Sequence, residues 1–391
     1  MSPGQSSTLH SETHLPSLDG LRGVAIALVL FHSWNTLGGA HTLSGRLLYR
    51  LFDLGWVGVQ LFFVLSGCLI TGILLDTRRS PAYLKNFFWR RSLRIFPLYY
   101  ATLVVGFVLL PVLGMLPSIF EHDREQQLWF WLYLQNWRTD TWQLFPHYWS
   151  LAVEEQFYLL WPFVVRGCTP RRLLQVCAGL AVTSLGVRLG MRLGGVGPGL
   201  VYTASVCRMD ALALGAAVAV IVREPALLEW VRAQRTGLQA TAAIAVAAVV
   251  CGGFQLDSFY GQTIGYSALS LAFAMLMLAL ILADQGQLPS GLRAMFLFRP
   301  LRTLGRYSYA VYVFHRPLHK LVGQPLLQAL PASLDGSIGL AMAYLIVMGL
   351  VVLLLAKMSY RWVEGPFLRL KRRFDAGFDR HPRREPRVVE D

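Results

Sequence analysis

A chain of 391 residues that is 54% hydrophobic and only 15% charged is too apolar for an ordinary soluble domain, in which about a quarter of residues carry charge. Its mean hydropathy of +0.46 and long uncharged runs exclude a water-soluble globule. The formal net charge of +14 would suggest nucleic acid in a soluble protein, but the placing of the charges excludes that partner here.

Residues 1–21 read as a polar cytoplasmic segment with no apolar stretch ahead of the first span. No cleavable leader is therefore expected, and the first span stays attached as an anchor. Ten spans follow, each long enough for a bilayer core of about 30 Å: 22–40, 55–75, 95–115, 147–165, 172–190, 203–222, 237–254, 263–283, 305–323 and 338–360. The fold class is all-α, a polytopic integral membrane protein. Its membrane domain covers 22–366, and 367–391 form a basic cytoplasmic tail. The aromatic stretch LWFWLYLQNW (128–137) is too short to span and reads as an interfacial or re-entrant piece, where Trp and Tyr rings are at home.

The connections alternate between basic and base-poor. Of the 36 Lys and Arg, 26 fall on one surface, five on the other and five inside spans. The cytoplasmic side of a membrane protein carries the excess of Lys and Arg, so both termini are expected in the cytoplasm. Five scattered cysteines (Cys68, Cys168, Cys177, Cys207, Cys251), without a CxxC pair, point to packing rather than to disulfides or a metal.

Ionisable groups at membrane depth are costly and mark functional candidates. His32, in LDGLRGVAIALVLFHSW (18–34), lies about 15 Å along its helix from Arg22 at the entrance, near the bilayer midplane. Glu154 and Glu155, in HYWSLAVEEQFY, lie about 10–12 Å below the outer surface, close in depth to His32 and about 100° apart on their helix. A histidine beside a carboxylate has the composition of a general base and its orienter. The plainer reading of His32 is an interhelical hydrogen bond.

Arg90, Arg91 and Arg94 cluster in FFWRRSLRIFPLYY, level with Arg22. Part of that charge is positive-inside anchoring, but guanidinium forks also suit phosphates. Together these arginines would form an anion-binding mouth beneath a tunnel. Arg208 and Asp210 in CRMDALALG can offset each other's charge. Ser66 with Gly67 reads as a close helix contact. His315 precedes Arg316 and Pro317, and a proline frees a carbonyl that a side chain can satisfy.

The stretches LDGLRGVAIALVLFH (18–32), GWVGVQLFFVLSGCLI (55–70), RRSLRIFPLYY (90–100), HYWSLAVEEQFYLLWP (147–162), RMDALALG (208–215), LGRYSYAVYVFHRP (304–317) and SYRWVEGPF (359–367) run in a specific order. The chain they mark resembles the membrane-bound acyltransferase-3 family, which moves acyl groups, usually acetyl, onto extracytoplasmic sugars and related acceptors. The resemblance implies that Arg22 and His32 are the family's first-helix arginine and histidine, and that Arg91 and Arg94 form its cytoplasmic arginine motif. It also implies Glu154 or Glu155 as its fourth-span acid and Glu364 as the acid after the last span. Nine residues separate Arg22 from His32 here, where the family has ten, which turns the pair by about 100°. The chain is further expected to act as a stand-alone membrane module.

The expected reaction moves an acyl group, acetyl by the family's habit, from cytoplasmic acyl-CoA to a hydroxyl of a glycan or similar acceptor. The enzyme would lie in the inner membrane with no permanently bound cofactor and no metal. His32 is its base, Glu154 or Glu155 stabilises the imidazolium, Arg22, Arg91 and Arg94 hold the donor's phosphates, and Arg208 is a candidate for the oxyanion. The alternative is an exporter of a polysaccharide precursor, which would carry out no acyl transfer.

Overall fold

The computed structural model describes residues 15–138, 142–234, 236–237, 240, 255–286 and 290–371, and these contain helices but no strand. Helix α1 runs Pro16–Ser33, against the first expected span of 22–40. A proline at its first position suits a helix start, where the missing N–H costs nothing. Helix α2 (Leu43–Asp53) leads through a short turn into α3 (Val57–Thr77).

Helix α4 covers Tyr83–Val104, so Arg90, Arg91 and Arg94 share one unbroken helix with the start of the third expected span. The stretch 128–137 forms one helical turn (Leu128–Trp131) and a 3-10 turn (Gln135–Trp137). Neither is long enough to span. Helices α5 (Tyr148–Gly167) and α6 (Pro170–Leu193) match the fourth and fifth expected spans closely. The sixth is interrupted: α7 covers only Met209–Ile221 and meets α8 (Pro225–Ala233) at 104°. The seventh expected span, 237–254, and Cys251 lie almost wholly outside the described residues.

Helix α9 is Tyr266–Asp284. The ninth expected span divides at Tyr307 into α10 (Arg299–Arg306) and α11 (Ser308–Leu318), and α12 is Ile338–Ser359. By length and composition, five helical stretches among the described residues can cross a bilayer, or six if the bent α7–α8 pair counts as one. They are Leu43–Thr77, Tyr83–Val112, Pro170–Leu193, Gly261–Asp284 and Ile338–Leu370.

Helix α1 is enclosed by protein, with Leu21, Ala25 and Ile26 fully buried; it packs on α3 and α10. Helix α12 shows the opposite pattern, exposing Ile346, Val347, Leu350 and Leu354, as a lipid-facing stripe would. The tightest helix pair joins α3 to α7, where backbones touch through glycines. A Cβ on Gly215 would lie 2.0 Å from the Val64 carbonyl oxygen. Gly215→Val should therefore cost about 1–3 kcal/mol or more through overpacking. Gly186→Ala, whose added Cβ meets nothing within 4 Å, should leave the melting temperature of the detergent-purified protein unchanged. Equal melting of wild type and Gly215→Val would refute this account of the contact.

Four cysteines, Cys68, Cys168, Cys177 and Cys207, are free, and no metal-binding group of three or more His, Cys, Asp or Glu occurs among the described residues.

Candidate active site

Helix α5 carries Glu154 and Glu155 into the helical bundle, where both line a cavity of about 240 Å³. Arg22, Ser66, Arg90, Arg91, Arg94, Ser150, Tyr309 and Tyr312 share that lining with apolar side chains of α3 such as Phe62 and Leu69. Arg91 is thus deeper than a cytoplasmic mouth: its guanidinium lies 4.1 Å from the centre of the Tyr158 ring, and its Nε has no partner. Ser66 hydrogen-bonds the Tyr158 hydroxyl. The close helix contact expected at Ser66 and Gly67 belongs to Gly67 alone, where an added Cβ would meet the Leu212 carbonyl oxygen at 1.9 Å. Buried Glu155 Oε1 also lacks a hydrogen-bond partner. Ionisable groups gathered in this way, partly unsatisfied and walled by apolar side chains, form the kind of interior in which a polar group is held firmly.

A second cavity, of about 580 Å³, adjoins the first and shares Arg22, Arg94 and Tyr309 with it. Its remaining lining includes Asp19, Arg299, Arg302, Arg306, Tyr360 and Glu364. This is the basic mouth expected from Arg22 and Arg94, enlarged by three arginines of α10. Their contribution is hidden in the sequence because arginines beside a span also satisfy the positive-inside pattern. Arg22 lies 3.6 Å from Asp19. Glu364, near Arg94 in the same wall, accepts a hydrogen bond from Ser359 Oγ at 3.3 Å and forms no ion pair among the described residues.

His32 lines neither cavity, so the expected meeting with Glu154 or Glu155 does not occur. The reason is helical phase. Helix α1 runs unbroken from Pro16 to Ser33, with no bulge to compensate the shortened spacing, so ten steps of 100° leave Arg22 and His32 roughly 80° apart about the axis. His32 instead faces the end of α2. Its Nδ1 is 2.9 Å from the Asp53 carbonyl oxygen and 3.5 Å from the Asp53 carboxylate. The carbonyl fixes the tautomer with the proton on Nδ1 and leaves Nε2 as the basic nitrogen. Asp53 thus stands beside His32 where Glu154 or Glu155 was expected, in a segment that reads from the sequence as an outer connection. The imidazole is a quarter exposed, with 26% of its side-chain surface open. The His32 backbone nitrogen lies beside Gly55, where an added Cβ would meet it at 3.0 Å, four positions ahead of the lining residue Val59.

Arg208 and Asp210 do not pair with each other. Asp210 takes Arg188 as its partner at 2.9 Å, with both side chains fully buried. Arg208 donates to Gln60 Oε1 at 2.5 Å and is ringed by Phe63, Trp149, Tyr202 and Tyr266, the last at 4.3 Å. Outside both cavities, it holds helices together through cation–π contacts, whereas Arg91 lines the inner cavity. His315 is also enclosed, its Nδ1 2.5 Å from the Tyr312 carbonyl oxygen. The carbonyl that Pro317 leaves without its helical partner, that of Val313, receives His147 Nε2 at 3.2 Å. The expected satisfaction of a proline-freed carbonyl is therefore present, with His147 as the donor.

Comparison with known proteins bears on this arrangement. The chain is 28% identical over 382 residues to the peptidoglycan O-acetyltransferase OatA of Listeria monocytogenes, covering 92% of this chain and 56% of that protein. It is 30% identical over 380 residues to the O-acetyltransferase OatA of Staphylococcus aureus, covering 92% and 58% respectively. The chain thus spans little more than half the length of these curated relatives. No solved structure matches it. The profile of the acyltransferase-3 family, described as an acyltransferase domain, matches residues 15–357, a range that takes in both cavities up to Tyr312 and the His32–Asp53 pair. The chain belongs to the acyltransferase-3 family.

Proposed function

We propose that the protein is a multi-pass inner-membrane O-acetyltransferase that takes its acyl group from a CoA thioester on the basic, cytoplasmic side. The acceptor is a hydroxyl of an extracytoplasmic glycan, with peptidoglycan favoured by the relatives' printed activity. The observation that carries this reading is the pair of adjoining cavities. One is an arginine-rich mouth and the other a carboxylate-lined chamber, and they are joined through Arg22, Arg94 and Tyr309. The same reading has ten spans with both termini in the cytoplasm.

In this scheme the phosphates stay at the mouth, held by Arg22 and Arg94, while the pantetheine arm extends along α1. The Arg91 guanidinium holds carbonyl groups of the arm as it passes through the chamber, and the thioester reaches beyond it to His32. His32 Nε2, oriented by Asp53 through Nδ1, removes the acceptor's proton as the hydroxyl attacks the thioester carbon. The C–S bond then breaks, the proton passes to the thiolate, and CoA leaves by the mouth. Glu154 and Glu155 keep Arg91 in place and balance its charge.

Purified protein in nanodiscs, given labelled acetyl-CoA, should transfer label to a glycan acceptor or slowly hydrolyse the thioester. Neither activity from a folded preparation supplied with peptidoglycan fragments would reject the reading. Arg91→Gln should raise the KM for acetyl-CoA about tenfold, the scale of one charge-assisted contact. An unchanged KM with kcat lowered about 100-fold would place Arg91 at the reacting carbonyl instead.

A further inference from the structure

We infer that helix α2 is the docking element for the acceptor, and that the acceptor arrives as a glycan tied through phosphate to a membrane lipid. Arg46 and Arg50 hold the phosphate, while Leu43, Leu47 and Leu51 face the lipid's chain. The inference rests on the proposed acyl transfer and names the form of its acceptor, at the other end of α1 from the arginine mouth.

The phase of α2 gives it three faces. Phe52 is buried and, with Leu48, clusters with Ile338, Ala341 and Met342 at the start of α12. Positions 46, 50 and 53 follow an i, i+4, i+7 pattern, so Arg46, Arg50 and Asp53 form one row within about 60° about the axis. That row ends on His32, whose Nδ1 meets the Asp53 carbonyl oxygen at 2.9 Å. Leu43, Leu47 and Leu51 make a second row about 90° further round, each of them more than half exposed.

Depth comes next. Helix α3 alone has 21 residues, about 31 Å of rise, which matches the bilayer core. In the proposed orientation α2 precedes it at the level of the outer headgroups. There leucines dip among acyl chains and guanidiniums meet phosphates.

Charge decides the occupant. The base-poor surface carries five basic residues, Arg46, Arg50, Arg124, Arg138 and Arg192. Three are engaged elsewhere. Arg124 pairs with Glu121 at 2.7 Å, Arg138 lies 5.2 Å from the Trp129 ring centre, and Arg192 donates to the Asp257 carbonyl at 3.4 Å. Arg46 and Arg50 are exposed and form no ion pair among the described residues. Positive-inside anchoring does not account for arginines on this surface. Two guanidiniums one turn apart suit a phosphate, and the leucine row beside them suits an apolar chain on it. Along the helix Arg50 is about 5 Å and Arg46 about 10 Å from Asp53. That distance leaves room for a short stretch of glycan between the phosphate and the hydroxyl at His32.

The test uses the full chain in neutral-lipid nanodiscs, labelled acetyl-CoA and two acceptors. One is a disaccharide linked through diphosphate to a polyprenol, and the other is the same disaccharide with lipid and phosphates removed. The lipid-linked form should have a KM at least about tenfold lower, the scale of one charge-assisted contact. Arg46→Gln and Arg50→Gln should each raise that KM about tenfold without moving the KM for acetyl-CoA, with partial recovery in Arg50→Lys. Arg124→Gln, which removes a paired outer charge, should move neither constant. Should a variant fail to fold, the comparison of the two acceptors on wild type decides alone. Equal transfer to both acceptors would overturn the site and leave the reaction standing. Binding of the polyprenyl diphosphate lost in the arginine variants, with no transfer to any acceptor, would establish the site and remove the reaction. Equal binding of phosphatidylglycerol would reduce the row to an ordinary headgroup contact and overturn the proposal.

Discussion

His32→Ala should lower kcat for acetyl transfer by about 10²–10⁴-fold, the ordinary contribution of a positioned acid–base group, and leave nucleotide binding at the mouth intact. Cavity formation is a small part of the cost, since the imidazole is partly exposed and anchored only by the Asp53 carbonyl and carboxylate. The folded protein should therefore survive. Asp53→Asn is expected to be milder, about tenfold in kcat, because the backbone carbonyl at 2.9 Å still fixes the tautomer and only the charge that steadies the imidazolium is lost. The decisive comparison is with Glu155→Gln. If that variant lost all activity while His32→Ala kept it, the proton would be taken inside the chamber, and the His32–Asp53 pair would be an ordinary interhelical bond. Steady-state kinetics on the three variants, with circular dichroism to verify folding, separates these outcomes.

The largest expected effect on stability lies in the Arg188–Asp210 pair. The two side chains are fully buried and bonded at 2.9 Å, and they are tied into α9 and the turn before α7. Ser267 Oγ bonds to both, and Arg188 also donates to the Cys207 carbonyl at 2.5 Å. Removing one charge leaves the other stranded in a low-dielectric interior, which costs about 3–5 kcal/mol. Arg188→Met and Asp210→Asn should each lower the melting temperature sharply. The double variant Arg188→Met/Asp210→Leu, which leaves no unpaired charge, should recover most of that loss. Should Asp210→Asn melt like wild type and yet fail in catalysis, Asp210 would belong to the chemistry rather than to the frame.

Much of the helical course is legible in the amino-acid order, for a simple reason. In α5, α6, α9 and α12 the apolar run gives nearly the observed boundaries, and Pro170 marks the start of α6. The misreadings occur where a tertiary partner overrides local composition. Tyr83–Val104 looks like a basic connection followed by a span because Arg90, Arg91 and Arg94 interrupt its hydrophobicity; the chamber shelters those charges, and one helix runs through. Arg208 and Asp210 look like natural partners at two positions' distance, but such neighbours point to different sides of the chain. Asp210 turns to Arg188, distant in sequence. The acids of the chamber and the arginines of the mouth are readable from residue type and depth. The role of Asp53 is not, because its segment carries no membrane signal and only the turn between α2 and α3 brings it to His32. His147 is hidden for a similar reason, since its partner is a carbonyl exposed by a proline in another helix.

The burial of α1 has a consequence for how the protein is made. This helix emerges from the ribosome before the other described helices, yet a principal wall around it, α10, is synthesised about 280 residues later. Until that wall arrives, Asp19 and Arg22 must wait in lipid or at the bilayer surface, where such groups are costly. Assembly of the reaction centre is therefore a late step in biogenesis. A chain cut short before residue 299 should remain an open, half-inserted intermediate for membrane proteases to clear.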